Sequence, residues 1–342
     1  MKNLTRNGPA VSGFFVHINQ SFLSQISDAR LFAQLGINMS HIDVIGDIHG
    51  HADHLHQLLN KMDYRETNGF YAQPGHKVLF LGDFIDRGPE QIEVLRIVRA
   101  MCANGSAMAV MGNHEFNAIG WMTKNQSGDY LRSHNDTHRE QHQVFLDQVG
   151  EDSPLYHDII DWFRSLPAFL DLGHIRAVHA CWHEPSLRHM SDHCLDQNGC
   201  FTDIGFSKAH IKSTSLYDVV EVSLKGPEQK LPNNISFHDK SGHLRHHARV
   251  RWWDKSSDQS LRTAVLGMEG REHDLPDHPI HIEHAYLDTV PVFFGHYWLS
   301  REPHLTSSKA QCLDFSAAKG GYLTAYRWTG EQELTQAKLI WC

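Results

Sequence analysis

Three short blocks recur in order along the chain: Gly46-Asp47-Ile48-His49-Gly50, Gly82-Asp83-Phe84-Ile85-Asp86-Arg87-Gly88 and Gly112-Asn113-His114-Glu115. Each directly follows a run of β-forming apolar residues, which restricts the fold more than any other feature of the sequence. His41 to Ile45, Lys77 to Leu81 and Ala107 to Met111 read as strands. Between them, Asp53 to Met62 places Leu55, Leu58, Leu59 and Met62 at helical spacing with Asp53 as N-cap. Pro89 opens a second amphipathic helix through Ile92, Leu95 and Val98. Strands alternating with helices give an α/β fold with a largely parallel sheet, whose ligand site lies beyond the carboxyl ends of the strands. All three blocks fall there.

The rest of the chain reads as one unit. Residues 1–40 form an N-terminal extension and residues 41–342 a single domain with a helical insertion around 121–167, where Val144, Phe145 and Val149 share one face and Tyr156, Ile159, Ile160 and Phe163 another. Ile175 to Val178 is a strand ending at His179, and Pro291 to Phe294 is another ending at Gly295-His296. His183 to His281 is rich in His, Asp, Ser and Pro and reads as long loops with a few strands. The tail reads as a hairpin, Tyr322 to Trp328 and Glu331 to Ile340, around Thr329-Gly330.

With 41% hydrophobic residues in 342, the chain can bury a core. Its net charge of -9, from 31 Lys and Arg against 40 Asp and Glu, argues against a nucleic-acid partner held through phosphates. Six cysteines are too sparse for a disulfide framework, Met1 to Gln20 lacks a continuous apolar core, and no stretch approaches membrane-spanning length. The expected location is therefore cytoplasmic, with no membrane partner. Cys181, His183, His189, His193, Cys194 and Cys200 crowd together but fit no structural zinc pattern, and read as a polar loop near the site.

Carboxylate, imidazole and amide ligands on strand-end loops are what two divalent ions need to share one bridging oxygen and activate a water. Oxygen and imidazole donors without thiolate suit Mn, Fe or Zn. Further matches are Ala177-Val178-His179-Ala180, Phe294-Gly295-His296-Tyr297, Cys312-Leu313-Asp314 and Gly320-Gly321-Tyr322-Leu323-Thr324. With these, Asp43 to Trp328 resembles the calcineurin-like metallophosphoesterases, and within them the phosphoprotein phosphatase family and its bacterial relatives. The whole chain is similar to the cold-active protein-tyrosine phosphatases built on these motifs, which serine/threonine phosphatases and diadenosine-tetraphosphatases share.

The resemblance implies a β-sandwich of mixed sheets flanked by helices, with the active site at the carboxyl ends of the strands. It implies that Asp47 and His49 bind one ion, that Asn113, His179 and His296 bind the other, and that Asp83 bridges both. A metal-bridging hydroxide then attacks phosphorus directly, without a phosphoenzyme. Arg87 is expected to grip non-bridging oxygens and Asn113 to contact the substrate, while His114, oriented by Asp86, protonates the leaving group. A second phosphate-gripping arginine should lie between the last two ligand histidines; Arg251 is the first choice and Arg249 the second.

Each block alone would be a strand-ending turn, and in a chain with 28 histidines a lone imidazole is by default no ligand. His51, His54 and His56 are read as surface residues, and Glu115 as a support for its loop. His296 is followed by Tyr297-Trp298, so the Gly-His-any-His pair of the nucleases and cyclic phosphodiesterases is absent. No cysteine is followed six residues later by Arg, so tyrosine dephosphorylation would have to use metal chemistry. The expected function is a metal-dependent phosphomonoesterase, foremost a protein phosphatase with phosphotyrosine favoured, acting on a phosphoprotein or phosphopeptide. The alternative is a diadenosine-tetraphosphatase or other small-molecule phosphatase. A non-catalytic metal-binding module ranks last, because a scaffold has no need of Arg87 and His114.

Overall fold

The computed structural model describes residues 41–342 apart from 233–234, 239–241, 243, 255–258, 269 and 300–301, so the extension expected over residues 1–40 lies outside the described residues. Strand β1 (His41–Ile45) leads to α1 (Ala52–Lys61), β2 (His76–Phe80), α2 (Gln91–Ala103) and β3 (Ala107–Ala109). The three strands pair in parallel, as the alternation requires.

Both helix starts differ from expectation. Asp53 is not the N-cap of α1: His51 holds that position without a side-chain cap, and Asp53 sits in the first turn with Oδ1 accepting the His54 N–H at 2.8 Å. α2 begins two residues after Pro89, because the Glu90 N–H is tied to the Gly50 carbonyl at 2.8 Å and holds that residue outside the helix.

Next come α3 (Asn113–Met122), α4 (Asp136–Val149) and α5 (Pro154–Arg164). Asn135 caps α4 by accepting the His138 N–H at 2.9 Å, and Ser153 caps α5 with Pro154 at its first position. A second sheet holds β4 (Phe169–Asp171), β5 (Arg176–Val178), β6 (Val292–Phe294) and β7 (Ala310–Cys312). Strands β5, β6 and β7 are parallel, with β4 antiparallel to β5. The chain then returns to the first sheet through β8 (Asp314–Phe315), β9 (Tyr322–Trp328) and β10 (Leu339–Trp341), giving the order β8-β9-β1-β2-β3 with β10 also on β9.

The sheets face each other. Ile42, Val44, Leu79, Leu81, Met108 and Val110 of the first pack against Ile175, Ala177, Phe293 and Leu313 of the second in one buried cluster. Neighbouring positions along the same strands, among them Ile45, Val78 and Phe80, turn the other way into a core shared with α1 and α2. The result is a sandwich of mixed sheets flanked by helices.

Two regions depart from the sequence reading. The stretch expected as long loops contains helices Glu184–His193, Asp203–Ala209 and Ser215–Lys225. Their start signals are present in Pro185, Thr202 and Thr214, but each buries only a few apolar residues, such as Leu187 and Met190, so the period is faint. The tail hairpin is also shorter on its return side. The Glu331 carboxylate accepts the Thr329 N–H at 2.9 Å and the Glu331 carbonyl accepts from Trp328 Nε1 at 2.9 Å, which curls the chain until Leu339. Among the described residues, no helix is long and apolar enough to cross a membrane.

Candidate metal centre

The ligand blocks meet at one edge of the sandwich. Asp47 and His49 follow β1, Asp83 follows β2 and Asn113 opens α3 after β3, while His179 follows β5 and His296 follows β6. Bonds between the sheets fix this meeting: the His296 N–H donates to Asp47 Oδ2 at 3.0 Å, and His179 Nδ1 donates to the Leu81 carbonyl at 2.8 Å.

Asp83, 1% exposed, is the hub. Its Oδ2 lies 3.5 Å from His49 Nε2, 3.4 Å from His179 Nε2 and 3.9 Å from His114 Nε2, while Oδ1 accepts the His114 N–H at 3.0 Å. Asp83 therefore shares one cluster with His49 and His114 and another with His179 and His296. In each cluster, one donor atom per residue lies within 4.8 Å of the others. His179 Nε2 is also 3.0 Å from Asn113 Oδ1.

The tautomers follow from these partners. A carbonyl can only accept, so His49 Nδ1, 2.9 Å from the Ile85 carbonyl, carries a proton, as does His179 Nδ1. In a neutral ring this leaves the Nε2 lone pair facing Asp83. Asp47 Oδ1, His49 Nε2 and both ring nitrogens of His296 are buried without a hydrogen-bond partner. Burial holds His49 down at about 3, and burial with Arg249 and His179 holds His296 well below its ordinary value. Burial, together with Asp314 and Asp83, pushes Asp47 well up. Burial would also lower His179, but Asp83 outweighs it and carries the ring up to about 10. Buried, unpaired donors on His49 and His296 that share the Asp83 carboxylate suit a divalent cation, as the resemblance implies, whereas Asp47, expected as a ligand, lies in neither cluster and His114, expected as the proton donor, lies in the first.

The backbone is shaped to the same end. His49, Asp83, Asp86, Arg87 and His296 all adopt left-handed conformations (φ 47°, 52°, 67°, 73° and 72°), a strain that persists where surrounding contacts enforce it. A Cβ on Gly295 would lie 1.9 Å from Asp47 Oδ1, so only glycine fits there. Glu115 braces the loops, its two oxygens accepting the N–H groups of Asp83 (2.8 Å), Phe84 (2.8 Å) and Gly112 (3.0 Å).

At the rim, the exposed Arg87 guanidinium lies over the Trp298 ring at 4.0 Å, and Lys319 Nζ lies 4.2 Å from the same ring. His114 Nδ1 donates to Asp86 Oδ2 at 2.5 Å, and the other oxygen of Asp86 accepts from His142 Nδ1 at 2.8 Å. Burial opposes ionisation of Asp86, but His142 and His114 hold its carboxyl well below the usual range. His142 and Trp298 were not singled out as site residues in the sequence. For Trp298 the available signal was its place two residues after His296. Arg249 is partly buried and its charge acts on His296, whereas Arg251 is exposed and its N–H donates to the Ala264 carbonyl at 2.8 Å.

The crowded cysteines form no disulfide, and burial raises the thiols of Cys181, Cys194 and Cys200 away from the thiolate form. His51 and His54 are not plain surface side chains. Both are half-buried, and with Asp53 each offers an atom within 4.8 Å of the others.

Residues 40–208 match the sequence model described as calcineurin-like phosphoesterase. Over those residues the chain is therefore similar to the calcineurin-like phosphoesterases, a family for which divalent metal ions are implied. It is similar to the asymmetrical bis(5'-nucleosyl)-tetraphosphatase PrpE of Halalkalibacterium halodurans, with 44% identity over 73 residues, 21% of this chain and 30% of the relative. The chain thus spans under a third of the first such relatives it matches. It is similar over a longer span to the symmetrical bis(5'-nucleosyl)-tetraphosphatase of Pasteurella multocida, at 24% identity, covering 86% of this chain and 95% of the relative. Among solved structures, the cold-active protein-tyrosine phosphatase of a psychrophilic Shewanella superposes with a TM-score of 0.43 at 18% identity, covering 87% of this chain and 80% of that one. The expectation of a phosphoprotein or phosphopeptide substrate is corrected by these relatives, which are named for dinucleotide substrates.

Proposed function

We propose that this protein hydrolyses dinucleoside polyphosphates such as diadenosine tetraphosphate. The observation that carries phosphoryl chemistry is the single Asp83 carboxylate common to two inward-facing donor clusters beside an exposed arginine. The substrate class is supported by the names of the relatives.

Asp47 and His49 would hold one cation, Asn113, His179 and His296 the other, and Asp83 both. Such ions supply an activated water and neutralise charge on the phosphoryl group. Arg87 grips non-bridging oxygens through its planar fork, with the Trp298 face keeping the guanidinium spread. Arg249, whose charge reaches His296, is better placed than Arg251 to act as the second phosphate-gripping arginine. His114 delivers a proton from Nε2 to the leaving oxygen while its Nδ1 proton stays in the hydrogen bond it donates to Asp86. A departing nucleotide has a terminal phosphate pKa of about 6, against about 10 for a phenol, so this proton matters less for an anhydride than for an aryl ester.

Incubation of the manganese-loaded protein with diadenosine tetraphosphate, followed by anion-exchange chromatography, tests the reading. ADP as sole product reports a symmetrical cut, and ATP with AMP an asymmetrical one. Chelation should abolish turnover, added manganese should restore it, and elemental analysis should find two ions per chain, reduced in Asp83→Asn. No dinucleotide turnover by protein carrying its full metal complement would overturn the substrate assignment.

A further inference from the structure

We propose that His142, on the inserted helix α4, is a positioning residue for the proton donor: it holds the second oxygen of Asp86 and thereby fixes His114. The inference rests on the reading of His114 as general acid given above.

Asp86 has two carboxylate oxygens, and the two histidines divide them. Oδ2 takes the His114 Nδ1 proton at 2.5 Å and Oδ1 takes the His142 Nδ1 proton at 2.8 Å. The carboxyl torsion of Asp is broad and roughly two-fold, so a carboxylate held at one oxygen alone can swing. A second donor on the opposite oxygen removes that freedom and sets the plane in which the His114 ring must lie, with its Nε2 towards Asp83.

The surroundings of His142 favour this role over simple packing. Its ring is 4% exposed and lies 5.8 Å from Trp121, 5.0 Å from Phe145 and 6.5 Å from Tyr156. These aromatic walls keep water from competing for the bond. Its Nε2 is buried without a partner, so the bond to Asp86 is the ring's one polar contact among the described residues. A phenylalanine would fill such a niche at lower desolvation cost, and the polar atom present is aimed at the same carboxylate that the acid uses.

The same helix grips the Asp86 turn at a second point. Gln148 Oε1 accepts the Gln91 N–H at 2.9 Å, Gln148 Nε2 donates to the Pro89 carbonyl at 2.8 Å, and Gln91 Oε1 accepts the Asp86 N–H at 2.9 Å. Asp86 itself sits at φ 67°, a conformation that needs external support. The insertion is thus anchored directly to the side chain of the residue that orients the acid and, through Gln91, to its backbone.

Leaving groups of different basicity separate this role from a structural one. Phenyl phosphate needs a proton at its leaving oxygen; p-nitrophenyl phosphate, with an electron-withdrawing ring, needs it far less. His142→Leu, which keeps apolar bulk, should lower kcat on phenyl phosphate by about tenfold or more and on p-nitrophenyl phosphate by less than about twofold, with KM unchanged. His142→Asn, which places an amide N–H near the Nδ1 position, should restore most of the loss. His142→Leu in a His114→Ala background should cost nothing further. In zinc-loaded protein labelled with 15N-histidine, the His114 Nδ1–H resonance should persist in wild type and His142→Asn and broaden or shift in His142→Leu. An unperturbed His114 signal in His142→Leu, or equal losses on both esters, would overturn the proposal. If His114→Ala itself shows no leaving-group dependence, the acid assignment fails and this inference fails with it.

Discussion

Replacing Glu115 with Gln tests how the hub is held. The carboxylate receives three backbone N–H groups on two oxygens, and both Asp83 and Gly112 use the same one. An amide keeps only one acceptor. In its better orientation the oxygen stays with Asp83 and Gly112, and the amide N–H2 then faces the Phe84 N–H. A buried donor left unpaired costs about 1–3 kcal/mol, and exchanging an ionised for a neutral acceptor weakens each surviving bond by about 1 kcal/mol. Burial and the neighbouring Asp83 push the Glu115 carboxyl up to about 7, so neutralising it relieves some repulsion and offsets part of this loss. The net expectation is a destabilisation of about 2 kcal/mol, a large share of a typical folding free energy. Denaturant titration of metal-free protein measures it directly. Because the N–H of Asp83 is one of the three, zinc affinity by calorimetry should fall about tenfold in parallel. Unchanged or increased stability in Glu115→Gln would refute the bracing argument.

Arg327 donates to both oxygens of the fully buried Asp43 at 2.7 and 3.0 Å, so Arg327→Leu should cost about 3–5 kcal/mol, with much of it recovered in Arg327→Leu/Asp43→Asn, as read by urea unfolding. Burial holds His210 down at about 4 against an ordinary 6.5, so the unfolded chain takes up a proton that the folded chain refuses. Stability should therefore fall as pH drops from 6.5 to 4, by about 3 kcal/mol from this group, and His210→Phe should remove that share of the acid limb in denaturation curves. Arg249→Ala should lower kcat/KM on the dinucleotide by about a hundredfold while Arg251→Ala stays within about threefold. The reverse order in steady-state assays would return the role to Arg251.

Much of the centre was legible because its information is local. A strand followed at once by Gly-Asp-x-His or Gly-Asn-His puts ligand and turn in one short word, and the parallel pairing of the strands brings such words together. His179 and His296 carry weaker signals, since a histidine at a strand end is common, and they became readable only together with the family motifs. His142 was not readable: its partner Asp86 lies 56 residues away, and on the sequence it is one of many histidines in a helical stretch. The choice between Arg249 and Arg251 is hard to read from the sequence for a related reason. The strand His247–Val250 ends between them, so period-two reasoning does not extend to the second. The helices after His183 were signalled by their caps but lacked a strong apolar stripe, because each buries only a few apolar residues.

Strands β5 and β6 lie side by side in parallel, and the Gly295 N–H reaches the His179 carbonyl at 2.8 Å. Everything between Ala180 and Pro291 therefore departs from and comes home to adjacent berths. The pairing of the two strands, rather than the path between them, sets the spacing of the two imidazoles at the gateposts of this detour. Arg249, carried on that detour, is brought back to act on the His296 gatepost, so the excursion is tethered to the centre as well as rooted beside it.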